Sequence, residues 1–215
     1  MPGLVERLAA REHQDSSTNW AASLANARKE AEMAEAEVQA GFPLLHAQAT
    51  VGLWTLLEGT VREFAVGFIK NSPNAMLIPE IAKLKVNLGE YESLDADDRC
   101  HHIADLLDRE LGAPLKGGVS RLQALLKPFS VFGKVEEDQR KLLYELHQVR
   151  NALVHRSGVT DRKLQQECPW LDLKLGDQIV INHEKFNAYS LAVANYVVSV
   201  IDSIDALFSS TTGAT

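Results

Sequence analysis

Residues 44–70 carry apolar side chains at helical spacing without interruption, and a stripe of that length forces the chain to supply a matching apolar surface. Leu45, Ala49, Leu53, Leu56, Leu57, Val61, Phe64, Phe68 and Ile69 make the stripe, and Asn71-Ser72-Pro73-Asn74 ends it. The rest of the sequence answers mainly with more helices. Residues 184–208 repeat the pattern, with Phe186, Tyr189, Ala192, Val193, Tyr196, Val197, Val200, Ile201 and Ile204 inward. Shorter helices are predicted over 76–88, over 94–111 with Asp95 as cap and Gly112 as stop, and over 119–126 before Pro128. Residues 136–156 place Leu142, Leu146, Val149 and Leu153 on a core face, and Ser157-Gly158 closes that helix. The expected fold class is all-α.

Three segments depart from this pattern. Residues 161–169 read as loop or a frayed turn. Leu171–Leu175, the Gly176-Asp177 turn and Gln178–Ile181 read as a small β-hairpin before the last helix. Residues 1–41 are polar and rich in Ala and Glu, with only a thin stripe (Leu8, Trp20, Leu24, Val38). They read as an N-terminal helical arm, interrupted at Asp15–Asn19 and ended by Gly41-Phe42-Pro43. The predicted organisation is thus an arm over 1–41, a helical domain over 42–208 and a disordered tail over 209–215.

A formal net charge of −7 argues against a protein that coats nucleic acid, yet leaves room for one basic pocket. Cys100 and Cys168 are two cysteines without an export signal, which implies reduced thiols. No run of about 18 apolar residues is read in the sequence, so no segment is expected to cross a membrane. A cytoplasmic setting follows from these readings.

Chemistry concentrates in Arg150-Asn151-Ala152-Leu153-Val154-His155. Asn151 and His155 are four residues apart and share a helix face. Arg150 lies about 140° away from His155 around the helix, but its side chain is long enough to bend back. His147, four residues before Asn151, joins the same ridge. A guanidinium grips phosphate oxygens and stabilises developing negative charge. An imidazole takes a proton from a ribose 2′-hydroxyl or gives one to a leaving oxygen. The carboxamide orients either. This chemistry requires no metal and no cofactor. Glu58, one turn after Trp54 on an apolar helix, is placed either to pair with Arg150 across the bundle or to sit as a rim carboxylate. Cys100-His101-His102 point in three directions on a helix and lack zinc-ligand spacing. Trp54 and Trp170 read as packing anchors.

An Arg followed after four residues by a His, with a polar residue beside the Arg, resembles the signature of the HEPN superfamily. Val51-Gly-Leu-Trp54-Thr-Leu-Leu-Glu58 resembles that family's first core helix, and the likeness extends over roughly residues 42–208. The resemblance implies a four- or five-helix bundle that forms homodimers. It implies metal-independent cleavage of RNA to a 2′,3′-cyclic phosphate, with Arg150 on the scissile phosphate, Asn151 positioning it and His155 as acid or base. Glu58 and His147 would support them. It also implies a toxin or antiviral setting, with an antitoxin or neighbour-encoded protein as partner. A different class remains open: a non-catalytic HEPN module that binds a partner protein or a nucleotide-related ligand. A third is a helical adaptor that docks through residues 1–40.

Overall fold

A computed structural model of the chain describes residues 3–112 and 117–212. The described residues form helices α1 (Gly3–Gln39), α2 (Pro43–Asn71), α3 (Pro79–Ala82), α4 (Leu88–Ser93), α5 (Ala96–Gly112), α6 (Val119–Leu126), α7 (Glu137–His155), α8 (Arg162–Glu167) and α9 (His183–Thr212). Short 3-10 turns occupy Ala75–Leu77, Lys127–Phe129 and Pro169–Leu171. The protein is all-α, and the chain clusters into two compact units, residues 1–44 and 45–215.

In the first unit, α1 runs through Asp15–Asn19 without the expected break. Ser, Thr, Asp and Asn each cost only about 0.5 kcal/mol inside a helix, too little to stop one flanked by good formers. Gly41 and Phe42 then adopt positive φ (77° and 62°), and Pro43 opens α2 at the position where a missing N–H is harmless. Trp20, Leu24, Met33 and Val38 are exposed along α1.

The second unit is built around α2, whose Trp54, Leu57, Val61, Ala65, Val66 and Ile69 are buried. Phe68 of α2 stacks on Phe129 and on Phe208 of α9, with centroids 5.3 and 6.4 Å apart. Arg62 reaches Asp105 of α5 at 2.7 Å. Helix α5 packs on α6, and α7 packs on α6, α8 and α9. Leu107, Leu126, Leu143, Leu146, Tyr189, Tyr196 and Val200 are fully enclosed at the centre. Asp95 caps α5 as read from the sequence, its carboxylate accepting the Asp97 and Asp98 N–H groups at 2.9 Å.

Elsewhere the structure corrects the sequence reading. Residues 76–88 are not one helix. Ile78 precedes Pro79 and is held extended (φ −60°, ψ 125°), which breaks the run. Asn87 then caps α4 through Gly89 and Glu90 N–H groups instead of continuing a helix. Residues 161–169 are not loop: Asp161 accepts the Leu164 N–H at 2.8 Å and starts α8. The β-hairpin is absent from the described residues. The Gly176-Asp177 turn is present, but Pro169–Leu171 forms a 3-10 turn and Asp172 takes φ 51°, so the first arm never extends. Residues 176–179 pair instead with the exit of α7. Thr160 N–H donates to Asp177 C=O (2.8 Å), Gly176 N–H to Thr160 C=O (3.0 Å) and Ile179 N–H to Gly158 C=O (2.8 Å), around an isolated Val159–Gln178 bridge.

Helix α9 continues to Thr212, so residues 209–212 are helical rather than a disordered tail, and residues 213–215 lie outside the described residues. Contrary to expectation, His183–Ser209, with mean hydropathy 1.6, is long and apolar enough to cross a membrane by length and composition alone. Its inward face, with Tyr189, Ala192, Val193, Tyr196 and Val200, is core. The most apolar stretch of the helix is 22% buried within the fold.

Candidate active site

Helix α7 buries Leu143, Leu146, Val149 and Ala152, while Leu142 and Leu153 are only partly buried. His147 lies on the flank of the helix away from Glu145 and Gln148 and is half-buried. Arg150 Nη1 donates to Asn151 Oδ1 at 3.1 Å, and Asn151 Nδ2 lies 3.3 Å from His147 Nε2. With Oδ1 occupied by a guanidinium, the amide nitrogen must donate to the imidazole. Nε2 is then the acceptor and Nδ1 carries the hydrogen. His147 leans on Trp54, with centroids 4.9 Å apart at 52°. Gly117, at φ 98°, also packs against the ring, which a Cβ at that position would strike. His147 Nδ1 and Arg150 Nε are both buried without a hydrogen-bond partner. No carboxylate forms an ion pair with Arg150 among the described residues.

Burial, reinforced by the positive charges of Arg150, Lys163 and Arg121, pushes the His147 imidazole down to about 4 from an ordinary 6.5. His147 is therefore neutral at physiological pH and serves as a fixed acceptor. The unfolded chain takes up a proton near pH 6.5 that the folded chain refuses until about pH 4. Stability is accordingly expected to fall as pH drops through that window and to be unaffected by this group above it. After discounting for partial exposure, the loss should be about 1–2 kcal/mol. Urea midpoints measured from pH 7 to pH 4 should show it, and His147→Gln should flatten the curve. Gly117→Ala should cost about 1–3 kcal/mol, since it adds a clash with His147 to a positive φ. An unchanged melting temperature would show that the glycine does not hold the ring.

His155, the last residue of α7, is exposed. Asn151 and His155 open onto one cavity of about 440 Å³, shared with Arg156, Asp161, Lys163 and Leu164. The structure thus joins Arg150, Asn151 and His147 by hydrogen bonds, and joins Asn151 and His155 through a common cavity. Arg150 reaches that cavity only by way of Asn151. Glu58 forms no ion pair with Arg150 among the described residues. It is half-buried, and its charge acts on Arg121, whose guanidinium pairs with Asp108.

Sequence reasoning missed two features. Arg156, Asp161 and Lys163 line the cavity because α8 folds back against α7, latched by Tyr144 Oη donating to Glu167. The Asp161-Arg-Lys-Leu164 order carries an N-cap signal that would have indicated this helix. Glu145 of α7 is 2% exposed and accepts from Tyr189 Oη (2.7 Å), Lys185 Nζ (2.8 Å) and Trp170 Nε1 (2.5 Å). It ties α7 to α9 and to the turn before α9. Trp170 is exposed (39%) and held by its Nε1 bond rather than packed in the core, whereas Trp54 is buried and is the platform under His147. His101 turns to Arg62 and Glu63, Cys100 to the Ala96 carbonyl and His102 towards Tyr91. No group of three His, Cys, Asp or Glu residues among the described residues is arranged for a metal ion.

No family model, curated protein or solved structure gives a significant match to this chain.

Proposed function

We propose that the protein is a metal-independent endoribonuclease of HEPN type. The observation that carries this reading is the hydrogen-bonded series Arg150–Asn151–His147, whose central Asn151 lines, with His155, a single polar cavity. His155 takes the proton from a ribose 2′-hydroxyl. The 2′-oxygen attacks phosphorus, and the bond to the 5′-oxygen breaks, leaving a 2′,3′-cyclic phosphate. The leaving oxygen receives its proton from a second imidazolium, supplied by the same residue of a second copy in a homodimer. Arg150 stabilises the charge that builds on the phosphate oxygens. Its orphaned Nε and lack of a carboxylate partner suit an anion. Asn151, held at both ends of its amide, fixes the position of Arg150.

In this reading the protein acts in the cytoplasm in toxin–antitoxin or antiphage defence, with an antitoxin or neighbour-encoded protein as partner. The test is cleavage of single-stranded RNA by purified protein in excess EDTA, with product ends examined for 2′,3′-cyclic phosphate. Cyclic ends that persist with chelator support the proposal, and chelator-sensitive cleavage or 5′-phosphate products reject it. A second reading, a non-catalytic module for a nucleotide-related ligand, draws on the same cavity, whose volume suits a nucleotide. Binding of ADP without RNA cleavage would favour it.

A further inference from the structure

Beside Asn151 and His155, the cavity carries two cationic side chains from the chain immediately after α7. Arg156 is partly engaged: its Nε approaches Asp161 at 3.3 Å, and its Nη1 donates to the His155 carbonyl at 3.2 Å. Asp161, the acid on this wall, is also occupied. It accepts the Leu164 N–H and is held below the usual carboxylate range by that bond and by Arg156. Lys163 is different. It is exposed, lines the cavity and forms no ion pair among the described residues. Its field reaches the neighbouring residues, because it contributes to keeping His147 neutral. In a chain of net charge −7, a cavity wall on which Asp161 offsets Arg156 and Lys163 is left uncompensated marks a place for an anion.

Resting on the nuclease reading, we infer that Lys163 and Arg156 form a second phosphate subsite, which grips the backbone phosphate adjoining the scissile one. The site then takes an internal stretch of an RNA strand, held at two phosphates. Lys163 acts in binding and leaves the chemical step to His155 and Arg150.

The probe is a fluorescein-labelled, single-stranded 2′-O-methyl RNA, which binds but cannot be cut because its 2′-oxygen is blocked. Fluorescence anisotropy at several salt concentrations, with the full chain, gives affinity and salt slope. Lys163→Ala should weaken binding on the order of fivefold and lower the slope by about 0.7, the value for one phosphate contact on a single strand. Lys163→Arg should restore both. On cleavable RNA, Lys163→Ala should raise KM with kcat nearly unchanged. Affinity and slope identical to wild type in Lys163→Ala overturn the subsite, even if cleavage by His155 stands. Failure of the wild-type chain to bind the probe also overturns it, and the EDTA-resistant cleavage assay then judges the nuclease reading separately. ADP as a second probe distinguishes a free nucleotide. If ADP binds through Lys163 and the strand does not, the strand subsite is rejected.

Discussion

His155→Ala is expected to reduce RNA cleavage by roughly 10²–10⁴-fold with no loss of stability. The imidazole is exposed at the last position of α7, and its ring supports no hydrogen bond among the described residues, so its removal leaves nothing buried and unpaired. Arg150→Ala should cost as much activity by a different route. It removes the guanidinium and also frees Asn151 Oδ1, so the amide can rotate away from His147. Arg150→Lys should recover little, because an ammonium lacks the planar fork. Initial rates on a quenched fluorescent RNA, set beside thermal melts of each variant, separate chemistry from folding. A His155→Ala protein that cuts at the wild-type rate would remove the proposed acid–base group and the mechanism with it.

The largest effect on stability is expected at Glu145. Glu145→Ala should destabilise the fold by about 3–5 kcal/mol in denaturant titrations. It strands Tyr189 Oη in the fully enclosed core and takes an acceptor from Trp170 Nε1 and Lys185 Nζ at once. Burial, the largest influence on the Tyr189 hydroxyl, raises it far above its usual range and persists in the variant, so the hydroxyl cannot ionise to relieve the loss. Glu145→Gln keeps the volume and one good acceptor, and should recover a part. A cost below about 1 kcal/mol for the alanine variant would show that the three bonds are offset by the desolvation of the carboxylate.

The long helices were legible because each carries a period that only one conformation satisfies. Helix α2 shows it over its whole length, and Asp95 marks the start of α5 by side-chain chemistry alone. Helix α1 was misread at Asp15–Asn19 because turn preference is a weak local energy that a long helix overrides. The Gly176-Asp177 turn was legible, but its pairing partner was not. Choosing residues 158–160 over 171–175 depends on where α7 ends in space. The site divided in the same way. Arg150, Asn151 and His155 could be found by spacing along one helix, as could the link from Asn151 to His147. The burial of His147 could not, since it is imposed by Trp54 and Gly117 from distant parts of the chain. Glu145 was invisible because an isolated acid in a helix defaults to the surface, and nothing nearby in sequence announces Tyr189 and Lys185.

That arrangement under His147 means the six-residue motif is not a portable part. Transplanted onto the end of some other amphipathic helix, it would keep its spacing. Even with a histidine supplied four residues before its asparagine, that ring would meet water, become free to ionise near neutral pH and stop dictating which way the amide faces. A graft that reproduces the motif and that histidine together with an indole and a glycine turn packed against the ring should restore that orientation, and the hexapeptide alone should not.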